Sequence, residues 1–239
     1  MQKVIEMTEL LCLKDAYLKE CSASIVEANV KEIVFDKTVF YPQGGGLESD
    51  KGTIECNGKA YSVLEVKKKE GKAIHYVDEE GLGAGDGCAL KIDWERRYAL
   101  MKMHTAAHVL GSTAYEIGAL ITGNAIAPDE SRFDFSFENF DRLKFDETVA
   151  NANVKLASGA EVKTYELPRE EAFKIQGIVK LANALPPNIP VLRIVEIVGL
   201  DTQADGGVHV ANTRECGKIE ITRLENKGAK NKRIYFKLL

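Results

Sequence analysis

The chain has 239 residues, 45% apolar and 28% charged, a length for one large domain or two modest ones and a composition ordinary for a soluble globular protein. Its net charge of −4 excludes a protein-wide attraction for polyanions. No apolar run approaches the roughly 20 residues needed to span a bilayer, and the acidic residues among the first ten argue against a signal peptide, so the cytoplasm is the expected compartment. Five cysteines (Cys12, Cys21, Cys56, Cys88, Cys216) form no C-x-x-C pair and read as reduced thiols, mostly packed in strands.

In chain order, residues up to about 92 read as β-rich. Polar and apolar residues alternate roughly over 17–30, and β-branched and aromatic residues concentrate over 32–41. The segments 53–56 and 60–66 flank the turn Asn57-Gly58, 72–77 is another strand, and 88–93 follows the glycine-punctuated run Gly81-Leu-Gly-Ala-Gly-Asp-Gly87. Short strands with turns between them predict a small barrel or sandwich. His75 falls on the strand at 72–77 and reads as a surface residue. At Asp93 the pattern changes. Residues 94–118 have helical spacing, with Leu100, Met103, Ala107 and Leu110 on one side. Strands are expected at 119–127 and 132–137, then a helix at 142–157 with Phe145, Val149 and Val154 inward and Gly159 as its stop. A strand at 162–167, a short helix at 169–175 after Pro168, a strand at 191–198 and a final hairpin pairing 217–224 with 233–238 complete the chain. This makes an α+β protein of two domains, a β-barrel over 1–90 and an α+β domain over 91–239.

Three features carry chemistry. His104 and His108 stand four residues apart in Met101-Lys-Met-His-Thr-Ala-Ala-His-Val-Leu110, so a helix projects both from one face. With Asp205 and His209 of Asp201-Thr-Gln-Ala-Asp-Gly-Gly-Val-His-Val210 they could complete a four-ligand site for a borderline-soft divalent ion. A bare H-x-x-x-H spacing is common, and one histidine capping while the other packs would satisfy it; a tight turn explains Gly206-Gly207 but neither Asp205 nor His209. No glutamate lies between His104 and His108, which excludes the zinc-protease signature. The second feature is Phe40-Tyr-Pro-Gln-Gly-Gly-Gly46, a place for sharp turning or for close approach to a ligand; no G-K-[ST] follows, so it is no phosphate loop, and a barrel corner is an even alternative to a site-facing loop. The third is the stretch from residue 226 on, where Lys227, Lys230, Lys232, Arg233 and Lys237 occur with no acidic residue, a stripe that suits a phosphate backbone or simply a solvated hairpin.

Taken in order, Phe40-Tyr-Pro-Gln-Gly-Gly-Gly46, Asp93-Trp-Glu-Arg-Arg97, His104-Thr-Ala-Ala-His108, Arg132-Phe-Asp-Phe-Ser136 and Asp205-Gly-Gly-Val-His209 resemble the editing domain of alanyl-tRNA synthetase. Without an aminoacylation module, the chain looks like a freestanding relative of the AlaX family, medium-length class, and the likeness covers nearly the whole sequence. The resemblance implies a small N-terminal β-barrel and an α+β editing domain of the kind also found in threonyl-tRNA synthetase. It implies an ATP-independent hydrolase serving translation fidelity, which deacylates alanine-specific tRNA mischarged with serine or glycine, with no membrane and no obligate protein partner. The family's zinc site carries over onto His104, His108 and His209; the remaining position, commonly cysteine, is Asp205 here. Asp205, water or a folded-back Cys216 are the alternatives for the fourth ligand. Leu47 likewise stands where the family's glycine run is usually followed by glutamine. On this reading Gly44, Gly45 and Gly46 line the amino-acid pocket, Thr105 offers a hydroxyl near the substrate or packs the helix, and Lys227, Lys230, Lys232 and Arg233 meet RNA. A zinc-stabilised tRNA-binding module without catalysis and a metal-dependent hydrolase of a small ester or amide are the competing functions.

Overall fold

Period-two alternation of apolar side chains shapes the first of two units into which the chain divides, the one ending at Tyr98. The computed structural model describes residues 7–178, 189–228 and 230–239. The strands of this unit are β1 (Glu9–Leu10), β2 (Glu20–Asn29), β3 (Glu32–Phe35), β4 (Lys37–Thr38), β5 (Gly52–Cys56), β6 (Lys59–Lys69), β7 (Lys72–Val77) and β8 (Gly87–Ile92). β1 and β4 pair in parallel; the other six close into a barrel in the order β2-β3-β7-β6-β5-β8. β7 and β8 alternate strictly between more and less exposed positions, which puts Ala73 and Val77, Leu90 and Ile92 in the core. Asn57 and Gly58, at φ 50° and 79°, make the tight turn from β5 to β6 with the positive dihedrals that such hairpins require.

The same alternation overturns the expectation for His75. It lies on the inward face of β7 with no exposed surface, its Nε2 2.8 Å from Thr38 Oγ1 and its Nδ1 3.2 Å from the Ile33 carbonyl. The rings of Phe35 and Phe40 meet it edge-on. Two hydrogen-bonding partners satisfy both ring nitrogens, which is the condition for burying an imidazole.

The second unit runs from Ala99 to Leu239. Helix α1 (Trp94–Tyr115) enters it, and residues 103–114 are buried on every side, so this helix is a core element and not an amphipathic surface one. β9 (Leu120–Ala125), β10 (Ser131–Ser136), helix α2 (Arg142–Ala157), β11 (Val162–Pro168), the single turn α3 (Arg169–Ala172), β12 (Val191–Ile197), β13 (Asp201–Ala204), β14 (Ile219–Asn226) and β15 (Asn231–Leu238) follow. They form a four-stranded sheet, β14-β15-β10-β9, and a three-stranded antiparallel sheet, β11-β12-β13. Asp141 caps α2 by accepting from the amides of Leu143 and Lys144. The buried stripe of α2 is Phe145, Thr148, Ala152 and Leu156. Val154, expected inward, is 71% exposed, because it lies two positions from Ala152 and Leu156, roughly half a turn away. β13 was not expected, and the closing hairpin is longer than expected, its loop shortened to 227–230. The protein is thus α+β, with a closed six-stranded barrel.

Candidate metal centre

Two segments of the second unit make the site. Helix periodicity puts His104 and His108 on one face of α1, their ring centroids 4.9 Å apart. The loop after β13 brings His209, whose ring stacks on His104 at 4.2 Å and meets His108 edge-on at 4.8 Å. Asp205 closes the group: Oδ1 is 3.0 Å from His209 Nε2 and Oδ2 3.7 Å from His104 Nε2. One donor atom from each of the four residues lies within 4.8 Å of every other, and the three histidines are buried.

The loop is shaped for this. At Gly207 a Cβ would stand 2.3 Å from His104 Cε1, so the backbone itself is the floor on which His104 rests, and only glycine permits it. Asp205 Oδ1 accepts from Gly207 N, while Arg193 of β12 donates from Nη1 to the carbonyls of both Asp205 and Gly207. Each imidazole is also held from behind at Nδ1. His104 faces the Val208 carbonyl at 3.4 Å, His209 the hydroxyl of Thr105 at 3.1 Å, and His108 the carboxylate of Asp201 at 3.0 Å. A carbonyl or carboxylate can only accept, so the Nδ1 of His104 and of His108 carries the proton and each Nε2 offers a lone pair. Asp201 and Gln203 project from one face of β13, and Gln203 Nε2 donates to Asp201 Oδ2.

Electrostatics favour the same state. Burial presses His209 down to about 4 against the pull of Asp205, and presses His104 well below the usual imidazole range with the help of neighbouring His209. Burial alone would raise the Asp205 carboxyl, but the imidazoles of His104, His209 and His108 hold it well below the usual carboxylate range. Neutral imidazoles and an ionised carboxylate are the forms that ligate metal. Donors around a tetrahedral ion with bonds of ~2.0–2.1 Å stand about 3.4 Å apart; the separations to the two Asp205 oxygens, 3.0 Å from Oδ1 and 3.7 Å from Oδ2, bracket that value, and the four donor atoms lie within 4.8 Å of one another. This group of side chains could hold a metal ion.

Other expected site residues lie elsewhere. Thr105 is fully buried; its hydroxyl accepts from Val210 N and faces the back of His209. Cys216 is outside the four-residue group, at the end of a 3₁₀ turn over Thr213–Cys216, its thiol pushed up to about 12 by burial and the nearby Glu215. In the first unit, Gly44 and Leu47 exchange backbone hydrogen bonds across Gly45 and Gly46, at φ 61° and 88°, which makes the glycine run an exposed type I′ hairpin tip. Leu47 is buried. Asp50 secures the base of this hairpin, accepting from Tyr41 N and from the buried guanidinium of Arg97, which also donates to the carbonyls of Ala16 and Val39. In the closing hairpin Lys227 and Lys230 are exposed, the former paired with Glu225. Lys232 is buried, 8% exposed, its ammonium donating to Asn226 and the Gly228 carbonyl, and Arg233 pairs with Asp134 through two nitrogens. Asp201 and Arg193, not anticipated from sequence, bond to His108 and to the Asp205 and Gly207 carbonyls, and Gln203, also not anticipated, reaches the site through Asp201. Their signal was the i, i+2 spacing of Asp201 and Gln203, which aligns them only if the segment is a strand.

A closed barrel, and an α+β unit with three histidines and an aspartate from a helix and a glycine loop, are the parts that the resemblance to the threonyl/alanyl-tRNA synthetase editing type implies. Residues 6–96 match the family of class II (A) tRNA synthetases, and residues 192–235 match the second additional domain of threonyl and alanyl tRNA synthetases. The chain is 47% identical over 234 residues to the alanyl-tRNA editing protein AlaX-M of Saccharolobus solfataricus, covering 96% of this chain and 98% of that one. The namesake protein of Methanosarcina barkeri is 44% identical over 242 residues, 98% of this chain and 100% of that one. The alanine–tRNA ligase of Ignicoccus hospitalis is 34% identical over 229 residues, 90% of this chain but 24% of the ligase. The chain belongs to the AlaX-M family of alanyl-tRNA editing proteins.

Proposed function

We propose that this protein is a trans-editing deacylase, hydrolysing the ester that links serine, and also glycine, to tRNA for alanine, with zinc held by His104, His108, Asp205 and His209. The observation that carries the reading is the convergence of three imidazole nitrogens and one carboxylate at separations that suit a tetrahedral ion, on a chain of the alanyl-tRNA editing family. Nitrogen and carboxylate donors are within zinc's ordinary range. When bound, zinc supplies electrophilic polarisation of the ester carbonyl or a lowered pKa for an attacking water.

The protein's own residues do the rest. Val208, Thr105 and Asp201 orient the three imidazoles, and Arg193 holds the Asp205–Gly207 backbone. Thr105 therefore acts by positioning His209. The exposed Gly44–Gly45–Gly46 turn is the candidate contact with the amino-acid moiety. Polar groups that pair with the serine hydroxyl and would go unpaired beside alanine give the strong discrimination that editing needs. Lys227 and Lys230 are the candidate phosphate contacts of the closing hairpin; Lys232 and Arg233 are committed to partners within the fold. No helix among the described residues is long and apolar enough to cross a membrane, in keeping with a cytoplasmic substrate.

The test is to incubate the zinc-loaded chain with seryl-, glycyl- and alanyl-tRNA for alanine, with and without a chelator. Seryl- and glycyl-tRNA are expected to lose their amino acid, alanyl-tRNA to be spared, and chelation to stop the reaction. Intact seryl-tRNA in the zinc-loaded reaction would overturn the reading and leave a binding module.

A further inference from the structure

The three imidazoles are backed unequally. His104 is backed by a neutral carbonyl and His209 by a neutral hydroxyl; only His108 is backed by a carboxylate, at the shortest of the three distances. The Asp201 side chain is wholly buried. Burying a carboxylate is costly, and a neutral amide would accept the same hydrogen bond more cheaply. Gln203, 8% exposed on the same face of β13, adds a donor to Oδ2 at 2.7 Å, fixing which way the carboxylate points.

We propose, resting on the metal-site reading above, that Asp201 is a positioning and charge-balancing residue for the bound ion, acting through His108, with Gln203 locking its orientation. Three neutral imidazoles and the Asp205 carboxylate leave a divalent ion with one positive charge uncompensated in a buried pocket. The Asp201 carboxylate, one imidazole away, sets a second negative charge against the ion and the nearby Arg193 guanidinium. A carboxylate behind a ligating histidine also raises the basicity of the ligating nitrogen and fixes its tautomer. The same group is a burden without the ion, because two carboxylates then have one nearby guanidinium, Arg193, between them. Asp201 thus favours the metal-bound form at the expense of the metal-free one, a signature that ordinary structural hydrogen bonding does not have.

The experiment compares full-length wild type, Asp201→Asn, Asp201→Ala and Gln203→Leu. Zinc affinity is measured by competition with a chromophoric chelator, and the melting temperature of each metal-free protein by circular dichroism. Affinity is expected to fall roughly 10–100-fold for Asp201→Ala, less for Asp201→Asn, which keeps an acceptor, and least for Gln203→Leu. Metal-free Asp201→Asn is expected to melt no lower than wild type. Folded Asp201 variants with wild-type zinc affinity would overturn the proposal, as would a metal-free Asp201→Asn protein that melts lower while its affinity is unchanged. If wild type itself takes up no zinc, the metal-site reading fails first and the proposal with it. Should Asp201→Ala not fold, the near-isosteric Asn variant decides.

Discussion

His75 shows what one side chain costs when a fold closes over it. Burial in the barrel lowers its pKa to about 4, partly offset by the backbone groups of Ile33 and Ala73. Unfolded, it takes up a proton near pH 6.5; folded, it resists until about pH 4. The unfolded state therefore gains protons first, and stability is lost progressively between pH 6.5 and pH 4. A shift of this size corresponds to about 3 kcal/mol. The measurement is urea denaturation of metal-free protein at pH 7 and pH 4.5. Wild type is expected to lose more stability across that interval than His75→Gln, and equal losses would show that His75 carries no part of the slope. Asp205 was legible as a candidate metal donor because it stands four residues before His209 in a loop that otherwise needs only glycine. His75 was not, since a lone histidine on a strand resembles a surface residue until Ala73 and Val77 are seen to share its face. Asp201 and Gln203 were hidden by the glycines that follow them.

At the level of elements, the barrel strands were legible where apolar alternation is strict and turns carry Asn-Gly, as at β5 to β6. β13 was not: its buried positions are Asp201 and Gln203, so the face that packs inward is polar, and local pattern gives way to the demands of the site. In α2 the stripe includes Thr148 and Ala152, too weakly apolar to outcompete Val149 and Val154 in a periodicity reading. The glycine hairpin was ambiguous between a corner and a site loop, and the structure gives it a firm base. Arg97, in the first turns of α1, and Asp50, just before β5, are both wholly buried and paired. Removing the carboxylate would strand a guanidinium in the core, so Asp50→Ala is expected to cost 3–5 kcal/mol, an order-of-magnitude range of about that size for a broken buried pair. Chemical denaturation of the variant checks this, and a loss below about 1 kcal/mol would mean that the guanidinium has found water or another acceptor.

For the whole molecule, the division into two units sorts the chemistry: the four candidate ligands all belong to the unit that begins at Ala99. Free zinc at 100 times its dissociation constant adds about 2.7 kcal/mol to whatever structure binds it. Calorimetry with increasing zinc is expected to raise the transition of the unit that begins at Ala99; no rise at saturating zinc would contradict this assignment. The separation in sequence between the two halves of the centre bears on when it can come into being. Thr105 and His209 touch although they stand 104 positions apart, and such long-range closure is entropically expensive and slow compared with forming a helix or a hairpin. A chain still being synthesised can complete its barrel and the turns of α1 while it has no pocket, since His209 is made 104 residues after Thr105. On the proposed function, metal uptake would wait until both halves of the centre are made, and a shorter chain emerging from the ribosome would lack the centre with which to attack the aminoacyl-tRNAs around it.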